Sequence, residues 1–182
     1  MTRSRLILAL RLVAVTGVAV MAVVLGIRLT HHTASVAPKV DKGVVVPAPT
    51  FSLPRLNGAG KLALASLRGK AVVLNFWASD CLPCKREMPR IEAAARRYSG
   101  RAVVVGIDVE DAKGPARAFL ERYGATYPVV YDPNGVTLAP YGVAATPQTF
   151  FVDRRGRLVP PHILGPASAE QLAAGIGRAL KT

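Results

Sequence analysis

From residue 71 onward, short apolar runs alternate with segments whose apolar residues recur every third or fourth position. Ala71-Val72-Val73-Leu74-Asn75-Phe76 and the run at 102–107 are short and rich in β-branched residues, so they read as buried strands. Between them, Ile91, Ala94, Ala95 and Tyr98 form one stripe at helical spacing, closed by Gly100, which predicts a helix over about 81–98. Residues 115–123 read as a crossover helix ended by Gly124, and Pro128-Val129-Val130-Tyr131 as a further strand. Strands alternating with helices imply parallel neighbours joined by right-handed crossovers in a three-layer α/β domain. A short helix follows the Asp132-Pro133-Asn134-Gly135 turn. Residues 148–152 and 157–159 then flank Asp153-Arg154-Arg155-Gly156 as an antiparallel hairpin, and Ser168 can cap a last helix at 169–180. Upstream, Phe51-Ser52-Leu53 and Lys61-Leu62-Ala63-Leu64 flank Asn57-Gly58-Ala59-Gly60, a hairpin extension expected to cover the edge of the sheet. Pro160-Pro161-His162 reads as a blocked edge strand with His162 on the surface.

The hydrophobic fraction of 51% is high for a soluble domain, and the excess lies near the N-terminus, where residues 12–27 carry no charge. With the apolar residues at 6–10 this run reaches the ~20 positions a spanning helix needs. The resulting plan is a cytoplasmic N-terminus at 1–11, a transmembrane signal anchor at 12–28, a linker at 29–46 and the α/β domain at 47–182. A cleaved signal peptide is the rival, since Ser35-Val36-Ala37 has small residues suitably placed, but that site is remote from the apolar run and Pro38 follows it. Arg3, Arg5 and Arg11 face Arg28, Lys39 and Lys42 across the segment, so basic residues do not orient it. The domain is placed outside the membrane because only export explains such a segment. His31-His32 could hold a metal, but in a membrane-proximal linker they read as tether. The formal charge of +13 is spread over several elements with no aromatic platform or nucleic-acid motif, which excludes DNA and RNA as partners and leaves a solvated basic surface near the membrane.

The two cysteines of the chain, Cys81 and Cys84, stand as C-x-x-C where the 71–76 strand gives way to the helix. Residues three apart share a helix face, so this pair can close a disulfide or open as a dithiol without refolding. At the first turn the Cys81 sulfur meets unpaired backbone N–H groups and the positive end of the helix dipole, which stabilise a thiolate. Cys81 is therefore the expected nucleophile and Cys84 the resolving thiol. A zinc site would need two further ligands, which no other cysteine supplies, and a purely structural disulfide over so short a loop would stabilise little. Glu87, three after Cys84 and four before Ile91, falls on the core-facing stripe, where desolvation would keep it protonated near neutral pH and able to exchange a proton with Cys84. An exposed pair with Arg90 is the alternative. Asp80 can cap the helix, and its charge beside the Cys81 thiolate would oppose the dipole and Lys85, weakening the pair as an oxidant.

Trp77 four before the first cysteine, the Pro83-Cys84-Lys85 step, Glu87 and Pro89 together resemble the membrane-anchored thioredoxin-like proteins of the TlpA/ResA group, relatives of the CcmG/DsbE cytochrome c maturation reductants. The main departure is Asp80, where relatives usually carry an aromatic. The resemblance covers roughly 47–180 and implies a thioredoxin fold, an active-site Glu at position 87, and a cis Pro147 abutting the dithiol with Thr146 offering its backbone to an extended substrate. Trp77 is expected to contact substrate beside the site, or else to be a structural aromatic. The resemblance further implies a thiol–disulfide oxidoreductase that needs no cofactor beyond the cysteine pair. It would act on exported proteins such as apocytochrome c or a copper-assembly protein, with a transmembrane electron donor as re-reductant. A disulfide-forming oxidant of the same fold and a copper-binding chaperone using both sulfurs are the alternatives. A peroxidase of the same fold would carry Thr where this chain has Ala78.

Overall fold

The structure, a computed structural model, describes residues 35–182 together with Gly17 and Met21. Apart from Gly17 and Met21, the segment expected to span the membrane at 12–28 lies outside the described residues, as does His31-His32; among the described residues no helix is long and apolar enough to cross a membrane. The chain runs through α1 (Ala37–Asp41), β1 (Val46–Pro47), β2 (Ser52–Pro54), β3 (Lys61–Ala63) and a 3-10 turn at Leu64–Leu67. It continues with β4 (Ala71–Trp77), α2 (Leu82–Arg97), β5 (Ala102–Val109), α3 (Lys113–Arg122), β6 (Val129–Asp132), α4 (Leu138–Tyr141), β7 (Gln148–Val152), β8 (Arg157–Leu164) and α5 (Ala169–Lys181).

The apolar run of β4 makes it the centre of a mixed sheet in the order β1-β8-β7-β4-β5-β6. It pairs in parallel with β5 from Ala71↔Ala102 to Trp77↔Asp108, and antiparallel with β7 from Val72↔Val152 to Phe76↔Gln148. Every residue of β4 is buried because helices and loops cover both faces. One core joins Val73 and Trp77 to Met88 and Ile91 of α2, Phe119 of α3 and Ile176 of α5. The other joins Leu74 and Phe76 to Leu53 and Leu62 of the N-terminal hairpin, Tyr141 of α4 and Val40 of α1. The three-layer α/β architecture expected for a thioredoxin-like chain is thus present.

The hairpin extension covers the sheet edge as expected. Asn57 receives the Val129 N–H on Oδ1 at 2.8 Å and donates Nδ2 to the Tyr127 carbonyl at 2.8 Å, so the open side of β6 is occupied by a side-chain amide. Ser168 caps α5 in a reciprocal box, its Oγ accepting from Gln171 N at 3.2 Å while its own N–H donates to Gln171 Oε1 at 2.9 Å.

Two expectations are corrected. Residues 37–41, placed in a linker, form α1, whose Ala37 and Val40 are buried against the domain because their apolar side chains pack with Phe150 and Leu158 in the second core. His162, expected at the surface, is buried in β8 and stacks on Phe150 with ring centroids 4.6 Å apart and planes 2° from parallel. Its Nδ1 lies 2.6 Å from Asp41 Oδ1, at the end of α1.

Candidate active site

Strand β4 ends at Trp77, and the chain turns through Ala78, Ser79 and Asp80 before α2 begins. The turn is held by Ser79 N donating to Asp111 Oδ2 at 2.6 Å and by Cys81 N donating to the Ala78 carbonyl at 3.3 Å. Cys81 is the N-cap of α2, its sulfur accepting from Cys84 N at 3.1 Å. This corrects the expectation that Asp80 caps the helix: it lies one residue too early, with an exposed side chain. A disulfide joins Cys81 to Cys84, whose Cα atoms are 5.3 Å apart. Cys84 is buried at 1% exposure whereas Cys81 is half-buried, so only the first sulfur can meet another protein. An amide pointing at that sulfur favours its anionic form, which is what a sulfur leaving or attacking must carry.

Glu87 lies one turn further along the same helix face, 1% exposed. Its Oε1 accepts from Asn75 Nδ2 at 2.8 Å and its Oε2 from Ala167 N at 2.7 Å. Burial pushes its pKa above the ordinary carboxylate value, against the opposing pull of these two hydrogen bonds and of the Arg90 charge. The exposed Glu87–Arg90 pair considered as an alternative is therefore not formed. Asn75 also donates to Thr149 Oγ1 at 3.2 Å, tying β4, β7 and the β8–α5 loop to one carboxyl. Neither Asn75 nor Ala167 was singled out from sequence, although an amide inside an otherwise apolar strand is a signal that something polar waits beneath it.

Trp77, expected as a substrate contact, is wholly buried and stacked on Phe119 at 4.8 Å, because the inward face of β4 carries it into the core. It is held as a structural aromatic of the first core. Lys85 is half-buried on the first turn of α2. The Thr146-Pro147 peptide is cis, with Pro147 buried, Thr146 half-buried and the Pro147 carbonyl accepting from Gly165 N at 3.0 Å. A cleft of about 230 Å³ between the β4–α2 turn and this loop is lined by Ala78, Asp80, Glu110, Leu138, Ala145 and Thr146. Leu82, between the cysteines, is 66% exposed and presents an apolar surface beside Cys81. Among the described residues no group of three or more His, Cys, Asp or Glu side chains is arranged to hold a metal.

A mixed sheet carrying a closable dithiol at a helix start defines a thioredoxin-like thiol–disulfide oxidoreductase, whose redox chemistry resides in the cysteine pair itself. The chain belongs to the AhpC/TSA family, whose profile matches residues 44–160. It is 32% identical over 150 residues to thiol-disulfide oxidoreductase ResA of Bacillus subtilis (strain 168), covering 82% of this chain and 83% of that protein. It is 37% identical over 119 residues to the thioredoxin-like protein YneN of the same organism, covering 64% of this chain and 69% of YneN. Among solved structures, a DsbF homologue from Corynebacterium diphtheriae superposes with a TM-score of 0.69 at 30% identity, covering 76% of this chain and 89% of that one.

Proposed function

We propose that this oxidoreductase reduces disulfides in exported proteins while tethered to the outer face of the cell membrane by residues 12–28. The observation that carries the mechanism is the split environment of the two sulfurs, Cys81 reachable and amide-supported, Cys84 buried on the helix face that carries Glu87. In the reduced enzyme the Cys81 thiolate attacks one sulfur of a substrate disulfide. That S–S bond breaks, and the departing substrate sulfur leaves as a thiolate that takes a proton from solvent. Glu87 then accepts the Cys84 proton, and the Cys84 thiolate attacks Cys81 Sγ. The mixed disulfide breaks, the second substrate sulfur leaves as a thiolate that takes a proton from solvent, and Glu87 returns the Cys84 proton to solvent. Two electrons have passed to the substrate, and the enzyme is left as the Cys81–Cys84 disulfide. A membrane-embedded dithiol donor would restore it.

The direction is supported by Asp80, whose exposed carboxylate one residue before Cys81 disfavours the thiolate and so stabilises the reduced form less than in a strong oxidant. Substrate would lie along Thr146, with a side chain in the neighbouring cleft. Apocytochrome c haem-binding cysteines and a copper-assembly protein are the proposed substrate classes. In cells carrying the Cys84→Ser chain, Cys81 should stay covalently joined to its partner, and mass spectrometry of the adduct identifies it. Recovery of an exported protein with paired cysteines supports the reading; the absence of any adduct above that of the Cys81→Ser chain overturns it.

A further inference from the structure

Behind the Ala78–Asp80 turn lies a buried carboxyl that the exchange chemistry does not use. Asp108, at the end of β5 and paired in register with Trp77, is 0% exposed, and neither of its carboxyl oxygens receives a hydrogen bond from any donor. Two other acids face it, Asp111 and Asp132. Asp132 is already satisfied, by Val136 N and Thr137 N at 2.9 Å each and Thr137 Oγ1 at 2.6 Å. Asp111 accepts from Ser79 N at 2.6 Å and Ala112 N at 2.7 Å, and its main-chain carbonyl accepts from the Tyr131 hydroxyl at 3.0 Å. Lys113 Nζ sits 5.4 Å over the Tyr131 ring, where its charge is engaged with that π face.

Of the three acids, then, only Asp108 has no donor directed at it. An ionised carboxylate with no donor, buried beside two others, is costly in a low-dielectric interior. A proton on Asp108 removes that cost and supplies the missing donor toward Asp111. We propose that Asp108 is a positioning residue: as a neutral carboxyl it donates to the Asp111 carboxylate, and the pair fixes the Ala78–Asp80 turn that presents Cys81. Burial, with the charges of Asp111 and Asp132 adding to it, raises the Asp108 pKa to about 8. The pair therefore keeps its shared proton at neutral pH and loses it in mild alkali. The positioning role rests on Cys81 being the nucleophile, whereas the shared proton does not.

Trp77 is the only tryptophan of the chain and the cross-strand neighbour of Asp108, so its fluorescence reports this proton. In the full chain with the disulfide closed no thiol titrates, and fluorescence should show a one-proton inflection near pH 8. Asp108→Asn, which keeps a donor toward Asp111, should abolish the inflection yet alkylate Cys81 with iodoacetamide at pH 7, after reduction, within about twofold of the native rate. Asp108→Ala and Asp111→Ala, which break the pair from either side, should slow that alkylation about tenfold through misplacement of the turn. A flat native titration, an inflection that persists in Asp108→Asn, or native alkylation rates in whichever alanine variant folds would overturn the proposal. None of these outcomes bears on which exported protein is captured by the Cys84→Ser chain.

Discussion

Replacing Glu87 tests the buried carboxyl in two independent ways. Both of its oxygens hold donors that water does not reach, Asn75 Nδ2 at 2.8 Å and Ala167 N at 2.7 Å. Glu87→Ala strands both, at roughly 1–3 kcal/mol for each unsatisfied donor, so a loss of about 2–6 kcal/mol is expected. Glu87→Gln keeps the volume and one acceptor but turns an amide N–H₂ toward the second donor, which predicts about 1–3 kcal/mol. The functional effect should be the larger of the two for Gln. General acid–base catalysis by a positioned carboxyl is worth about 10²–10⁴-fold, so resolution by Cys84 should slow at least ~100-fold at pH 7. The first attack by Cys81 should hardly change. Stopped-flow mixing of the reduced protein with a fluorescent disulfide peptide separates the two phases.

The sign of the pH dependence follows from the raised pKa of Glu87. The folded protein keeps this proton after the unfolded chain has lost it, so the stabilisation is fully present below the ordinary value of 4.5 and is lost as pH rises through the folded pKa. Urea unfolding of the native chain should show that decline, and Glu87→Gln should lack it. A second kinetic phase unchanged within threefold in Glu87→Gln, together with an unchanged slope of stability against pH, would refute the assignment of this carboxyl as the proton carrier.

Three further substitutions probe neighbouring features. Asp80→Trp removes a negative charge beside Cys81, and equilibration with glutathione should show the couple shifted in the oxidising direction by a few tens of mV, about 30 mV for each tenfold change in the exchange constant. Gly175→Ala in α5 would gain up to ~1 kcal/mol of helix propensity, but its added methyl meets the ring of buried Phe151, so thermal unfolding should show a net loss of about 1–3 kcal/mol. Asp153→Ala at the β7–β8 turn removes the acceptor of Arg155 N, Arg157 N and Arg157 Nε, and chemical denaturation should register roughly 2–4 kcal/mol.

What could be read from the chain alone divides along physical lines. The strands β4 and β5, the helix α2 and the hairpin at Asn57 were legible because apolar spacing and turn residues are local signals. Cys81, Cys84 and Glu87 were legible for the same reason: three residues on one helix have a fixed mutual geometry wherever the helix goes. The helix α1 escaped because five residues with one proline show no periodic stripe, and its burial comes from β7 and β8, which lie far along the chain. His162 was misread because Pro160-Pro161 looks like a surface edge, whereas the ring that buries it, Phe150, belongs to the adjacent strand. The position of Asp80 failed by a single residue, which is the ordinary uncertainty of a helix start and here decides which side chain receives the first free amide.

The same division explains how the site is built. Helix spacing places Glu87 on the inward face of α2, but spacing cannot say what that face meets. The partners come from β4 through Asn75 and from the loop before α5 through Ala167, brought together only by the order in which β7 and β8 fold back on β4. Cys81 is held in the same manner, by a local cap within α2 and by a turn secured from the β5–α3 loop through Asp111. Each reactive group therefore combines one short-range constraint with one long-range one. A substitution distant from the sulfurs, at Asn75 or Asp111, should accordingly alter exchange rates while leaving the helix and its disulfide in place.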